Sequence, residues 1–160
     1  MILSPCGTEL KVQVKIFYIS YRNKISSWEQ DYLKKISSPI KLEMKPLQSK
    51  KTYKRMEDQK RYEGDLFLSG KANNSHYHCF DKSGEVLSTE EFANFLTDSQ
   101  TLTSLFIGGT YGIHGEIIDK ASSLISIGKM EFTHELFRIM VLEQIYRVSC
   151  IYNNHPFHQI

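Results

Sequence analysis

The sequence predicts an α/β domain, a mainly parallel sheet with helices on both faces, and three observations predict it. Segments with a two-residue apolar period alternate along the chain with segments of helical period. Two capping boxes mark helix starts between the strand-like segments. The 160 residues contain no internal repeat, low-complexity tract or Gly/Ser-rich linker, which suits one compact domain. Strands separated by helices are joined by crossovers, and crossovers set neighbouring strands parallel and cover the sheet. A single domain over residues 1–160 is expected, with residues 1–11 as a flexible N-terminal extension.

Val12, Val14, Ile16 and Tyr18 fall on one face of a first strand. Ser26 with Glu29 forms a capping box for a helix expected to bury Trp28, Tyr32 and Ile36, until Ser37, Ser38 and Pro39 end it. Ile40, Leu42 and Met44 alternate with Lys41, Glu43 and Lys45, a strand with one wet face that is expected to stop at Pro46. A polar helix or ordered loop follows to about Ser69. His76 to Asp81 is expected as the third strand and Asp81 to Gly84 as its turn. Ser88 with Glu91 opens a helix that buries Phe92, Phe95 and Leu96. The run Leu105, Phe106 and Ile107 stops at Gly108 and Gly109. After it come a helix around Ile117 to Ala121 and a strand around Leu124 to Ile127. The last helix, His134 to Tyr152, carries Phe137, Val141, Ile145 and Val148 on one side.

Composition narrows the function classes. The net charge of +2 is uneven: Lys34 to Arg61 holds ten Lys or Arg against Glu43, Glu57 and Asp58, so that segment is +7 and the remainder −5. Such a block is either a nucleic-acid footprint or a solvated face. Cys6, Cys79 and Cys150 are odd in number and lack paired metal spacing, as in a reduced, cytoplasmic protein. No apolar run approaches the ~20 residues a membrane span needs, and MILSPCGTELK has neither a signal-peptide core nor a transit-peptide pattern. His76 and His78 share a strand face without a third and fourth ligand, so no metal is expected.

The chemistry points to the last third of the chain. A strand ending in paired glycines needs bare backbone, for a turn or for close approach of a ligand. A second irregular loop, Ile127 to Thr133, leaves the next strand and enters the last helix. Two such loops at neighbouring strand ends frame a crevice in an open α/β sheet. Arg138 lies in the middle of the helix's apolar side, where a guanidinium must be paired or face a partner, whereas Arg147 sits four residues after Glu143 as an ordinary ion pair.

The stretches IGGTYG, KMEFTHELFR, LEQIYR and NHPFH together resemble the ribosomal RNA large subunit methyltransferase H family, a minimal branch of the SPOUT class. The likeness is dense from Leu102 to Ile160 and sparser, though collinear, from Lys15. It implies S-adenosylmethionine as cofactor, a deep C-terminal trefoil knot, and N3 of a pseudouridine in large-subunit (23S) RNA, within the ribosome, as acceptor. It further implies a homodimer in which one subunit's cofactor loops meet the other's tail, with the Phe137, Met140 and Val141 side of the last helix as interface. Residue by residue, the cofactor pocket would comprise Phe80, Gly108 with Gly109, and Ile127, Gly128, Lys129, Met130, Glu131 and Phe132. Main chain would bind adenine and ribose, and Phe80, Ile127, Met130 and Phe132 would supply apolar walls. Arg138 would anchor the base or phosphate, His134 or His155 would assist proton removal, and Tyr152, Phe157 and His158 would hold the base. Phe80 stands where the family more often has leucine, and Thr133 where it has proline.

Two alternatives stand beside this expectation: a SPOUT enzyme acting on transfer RNA or another ribosomal position, and an RNA-binding protein without catalysis. A Rossmann or P-loop site is disfavoured, because GGTYGIHG has neither the G-x-G-x-x-G register nor a G-K-[ST] ending.

Overall fold

A computed structural model describes residues 11–22, 24–73, 75–99 and 102–156. The elements alternate as β1 (Val12–Ser20), α1 (Ser27–Lys35), β2 (Ile40–Gln48), α2 (Met56–Gly70), β3 (His78–Val86), α3 (Thr89–Asp98), β4 (Thr103–Ile107), α4 (Gly115–Asp119), β5 (Ser123–Ser126) and α5 (His134–Tyr152). The five strands form one sheet in the order β2-β1-β4-β3-β5, and each neighbouring pair is parallel. The strand period explains the two layers. Val12, Val14, Ile16 and Tyr18 pack with Phe92 and Leu96 of α3, Val141, Leu142, Ile145 and Val148 of α5, and Tyr32, Leu33 and Ile36 of α1. Phe17 and Ile19 face the other way, onto Phe67 of α2 and Ile117 of α4.

Three expectations change in detail. Trp28 is 66% exposed: α1 turns Glu29, Tyr32, Leu33 and Ile36 inward, keeping the expected Tyr32 and Ile36 and placing Glu29 where Trp28 was expected. Strand β2 runs through Pro46 to Gln48, paired in register with β1. An edge strand tolerates this, since the proline ring can occupy the open side where no ladder donor is required. Strand β3 extends past its predicted turn: Phe80 and Glu85 both stand opposite Ile125, with residues 81–84 looped out between them. Asp81 Oδ1 accepts the Ser83 N–H at 2.9 Å and holds that loop. Gly84 lies so close to β5 that a Cβ there would sit 2.5 Å from the Leu124 carbonyl carbon.

Among the described residues, no helix is long and apolar enough to cross a membrane. His76 and His78 bond Ser122 and Ser123 through Nδ1, at 3.3 and 2.7 Å.

Candidate active site at the carboxyl rim of the sheet

Because all five strands are parallel, every strand-to-helix connection emerges on one rim. Phe80 is central there. It pairs with Ile107 on one side and Ile125 on the other, so the glycine loop after β4 and the loop after β5 leave the sheet on either flank of β3. The two bends, expected at neighbouring strand ends, thus belong to strands that β3 separates, with Phe80 between them.

Beside it lies a cavity of about 540 Å³, walled by Phe80, Phe92, Ile125, Ile127, Met140 and Val141, with Ser88, Thr89, Ser126 and Gln144 as polar lining. Of the predicted cofactor residues, Phe80 and Ile127 line this cavity. Phe80 is buried and packs edge-on against Phe137, with ring centroids 5.6 Å apart. Gly128 adopts φ +146° with open space beside its α-carbon, a conformation that suits glycine. Its N–H donates to Ser126 Oγ at 3.1 Å, and that hydroxyl donates to its carbonyl at 3.0 Å. Lys129, Met130, Glu131 and Phe132 continue along the loop as exposed side chains, Met130 at 77%, and Glu131 pairs with Lys82 at 3.0 Å.

The paired glycines serve the protein's own packing. A Cβ on Gly108 would meet Ile113 at 2.6 Å, and one on Gly109 would meet Glu63 Oε2 at 2.2 Å and the Tyr21 hydroxyl at 2.6 Å. The loop closes tightly, with Gly112 at φ +83° donating its N–H to the Gly109 carbonyl at 2.9 Å.

A second, polar cavity of about 570 Å³ opens at the end of β1, lined by Ser20, Tyr21, Arg22, Lys24, His134 and Arg138 among others. Arg138 is buried and its charge is answered within the chain: Nε donates to Glu29 Oε1 at 2.5 Å and Nη2 to Oε2 at 3.3 Å. Its guanidinium also lies 4.7 Å from the Tyr18 ring centroid. Burial pushes the Glu29 carboxyl up, but Arg138 and the backbone N–H of Ser26 outweigh it and hold the pKa below the usual value. His134, at the first turn of α5, bonds Thr110 Oγ1 through Nε2 at 3.3 Å. Burial, reinforced by the nearby Arg138 charge, lowers its pKa, which favours the neutral ring.

The loop from residue 127 to 133 thus joins the two cavities, since Ile127 lines the apolar one and His134 the polar one. His155 lies elsewhere. It follows the far end of α5, beside Lys35, Tyr146 and Asn153, and the 19 residues of α5 span roughly 28 Å. Phe157 and His158 lie outside the described residues. Of the helix side expected as a subunit interface, Val141 is buried in the core of its own chain, Phe137 packs against that core half-buried, and Met140 lines the apolar cavity.

Sequence reasoning missed Glu29 as the partner of Arg138 and missed a polar cluster beneath the glycine loop. Tyr21 Oη donates to Glu63 Oε1 at 2.8 Å, and Gln59 Nε2 donates to the same oxygen at 2.7 Å. Glu63 is 2% exposed. The available signal was the spacing of Gln59, Glu63 and Phe67, one stripe of α2 at helical period. The basic block also divides in space. Lys50, Lys51, Lys54 and Arg55 follow β2 on the rim of the site, whereas Lys34 and Lys35 end α1 and so lie at the opposite rim.

A family profile described as "Predicted SPOUT methyltransferase" matches residues 12–158. The chain is similar to "Ribosomal RNA large subunit methyltransferase H" of Campylobacter jejuni subsp. doylei, 33% identical over 153 residues that cover 92% of this chain and 100% of the relative. It is also similar to "Ribosomal RNA large subunit methyltransferase H 1" of Clostridium perfringens, 33% identical over 138 residues, 81% of this chain and 87% of the relative. A Clostridium tetani protein described as "Ribosomal RNA large subunit methyltransferase H" is 31% identical over 139 residues, again 81% and 87% of the two chains.

Proposed function

The chain belongs to the SPOUT methyltransferase family, and from that premise we propose that it is an S-adenosylmethionine-dependent methyltransferase of large-subunit ribosomal RNA, acting on N3 of a pseudouridine. The observation that carries the site assignment is the convergence of both irregular loops on Phe80. The cofactor fits the residues present. Phe80, Ile125 and Ile127 offer apolar walls, Ser126 adds polar lining, and the space beside Gly128 is open. Bound there, S-adenosylmethionine supplies a methyl group on a sulfonium that departs as a neutral thioether, so no metal is required to activate the leaving group.

The protein's own task is alignment and proton removal. An imide N–H is a weak acid; with the Arg138 charge answered by Glu29, Arg22 and Lys24 are the cations that line the polar cavity and favour an anion developing on the base. His134, kept neutral by burial, is the group placed to take the proton. Arg22 and Lys24 beside the cavity, with Lys50, Lys51, Lys54 and Arg55 along the same rim, supply charge for RNA phosphates.

A homodimer belongs to this reading. His134 and His155 stand at opposite ends of α5, so both serve one site only if they come from different chains. An aromatic patch supports the pairing: Trp28 is exposed, Tyr32 lies one turn further along α1, and the Tyr32 and Tyr146 rings are 6.1 Å apart. The knotted chain path belongs to it as well, supported by an order in which the chain skips β3 between β4 and β5 before α5 returns onto α1 and α3.

The test is incubation of intact ribosomes and isolated subunits with methyl-labelled cofactor, followed by mapping of the modified nucleoside. Label at a pseudouridine N3 of large-subunit RNA is expected. Label in transfer RNA, or cofactor binding without transfer, would replace this reading.

A further inference from the structure

Proton counting beneath the glycine loop leads back to His134. The Tyr53 N–H donates to Gln59 Oε1 at 2.8 Å, which orients the amide so that Nε2 donates to Glu63 Oε1 at 2.7 Å. Tyr21 Oη donates its one proton to the same carboxylate oxygen at 2.8 Å. The Tyr21 oxygen is therefore left to accept, and it does so from the Thr110 N–H at 3.2 Å and the Thr110 hydroxyl at 3.4 Å. With its proton directed at Tyr21, Thr110 Oγ1 can only accept from its other neighbour, His134 Nε2, 3.3 Å away. The far end of the chain is anchored by burial. Gln59 Nε2 and Tyr21 Oη both donate to Glu63 Oε1, so that oxygen is an acceptor, while Oε2 lies packed against the bare α-carbon of Gly109.

We propose that Glu63, Tyr21 and Thr110 form a directional hydrogen-bond chain that fixes His134 as its Nε2–H tautomer and leaves Nδ1 as the atom that takes the proton from the acceptor base. This rests on the methyl-transfer reading for its catalytic consequence and on the geometry alone for the tautomer. In the step, the acceptor nitrogen forms its bond to the methyl carbon while its own N–H bond breaks toward Nδ1. The pair from the broken carbon–sulfur bond stays on sulfur. Glu63, Tyr21 and Thr110 are positioning residues, since they act through His134.

The experiment is a long-range proton–nitrogen correlation spectrum of uniformly ¹⁵N-labelled full-length protein above pH 7, with His134 assigned by its loss in His134→Ala. A protonated Nε2 and a bare Nδ1 are expected in the wild type. In Tyr21→Phe the Thr110 hydroxyl loses its acceptor and can turn toward the ring, so the Nε2–H preference should vanish. The rate of methyl transfer to ribosomal large subunits should fall roughly 10- to 100-fold, with cofactor affinity retained. Thr110→Ser keeps both bonds and should behave as wild type. A wild-type ring protonated at Nδ1 overturns the proposal, and so does a folded Tyr21→Phe with an unchanged tautomer. Should Tyr21→Phe fail to fold, the wild-type spectrum still decides. A wild-type protein with the expected tautomer that methylates no ribosomal RNA would refute the functional reading and leave the chain's assignment intact.

Discussion

Arg138 of α5 and Glu29 of α1 are joined by two hydrogen bonds, at 2.5 and 3.3 Å, across 109 residues of sequence, and Glu29 is wholly buried. One carboxylate performs two tasks. Glu29 Oε2 also accepts the Ser26 N–H at 2.9 Å, completing the capping box of α1, so the residue that starts one helix ties down another.

Removing either partner should leave a buried charge unanswered. Glu29→Ala or Arg138→Ala is expected to lower unfolding free energy by about 3–5 kcal/mol, while a paired Glu29→Leu/Arg138→Leu protein should recover much of it. Urea unfolding with unchanged slope would check this. Methyl-transfer rates of Arg138→Ala are then meaningful only at a temperature where that variant is folded.

The pH dependence follows from His134. Its folded pKa lies below the usual 6.5, so between those two values the unfolded chain binds more protons than the native one, and stability rises with pH. The contribution is complete above 6.5 and is lost as pH falls toward the folded value. The acid limb of kcat/KM should accordingly sit below 6.5, and Tyr21→Phe should alter that limb while a distant surface substitution should not. A pH–rate profile on ribosomal subunits measures it.

How much was legible depends on what kind of signal a residue sends. The apolar period of Val12 to Tyr18 and the pattern from His134 to Tyr152 predicted β1 and α5, because packing against a sheet repeats along the sequence. Arg138 announced a missing partner but could not name one, since Glu29 is fixed by the fold and not by spacing. Trp28 was misplaced for the same reason: Tyr32 and Ile36 face inward as expected, but the first turn of α1 buries Glu29, the partner of Arg138, and not Trp28. The stripe Gln59, Glu63 and Phe67 marked Glu63 as inward-facing, but its bond to Tyr21 spans 42 residues and is set by the fold and not by spacing.

Two glycine substitutions should separate packing from cofactor binding. A Cβ at Gly109 would collide with Glu63 Oε2 at 2.2 Å, so Gly109→Ala should destabilise the whole domain and break the chain to His134. A Cβ at Gly128 meets open space, and its penalty is confined to φ +146°, a strain of ~1–3 kcal/mol in the loop. Gly128→Ala should lower the melting temperature by roughly 2–12 °C, less than Gly109→Ala, while weakening S-adenosylmethionine binding roughly 10-fold. Calorimetry alongside thermal denaturation distinguishes the two.

The rim on which a lysine lies should decide whether it touches RNA. Lys51→Ala, Lys54→Ala and Arg55→Ala should each weaken binding to ribosomal subunits and reduce the slope of log K against log salt by ~0.7–0.9. Lys120→Ala, at the end of α4 on the opposite rim and on the other face of the sheet from His155, should leave the slope unchanged. Filter binding across a salt series provides the comparison.

The opposite ends of α5 make the subunit question answerable by mixing. His134→Ala and His155→Ala proteins should each be inactive if both histidines serve the reaction. Unfolded and refolded together in equal amounts, half of the dimers contain one chain of each kind. In such a dimer one site combines both substitutions and the other combines neither. The mixture should therefore recover about one quarter of wild-type activity, although neither parent has any. Trp28→Arg, which places a charge in the exposed aromatic patch beside Tyr32, should convert the protein to monomers by light scattering and abolish the recovery. Full activity in a Trp28→Arg monomer would show that each chain carries a complete site, and would remove His155 from the chemistry, because the length of α5 keeps it from His134 within one chain.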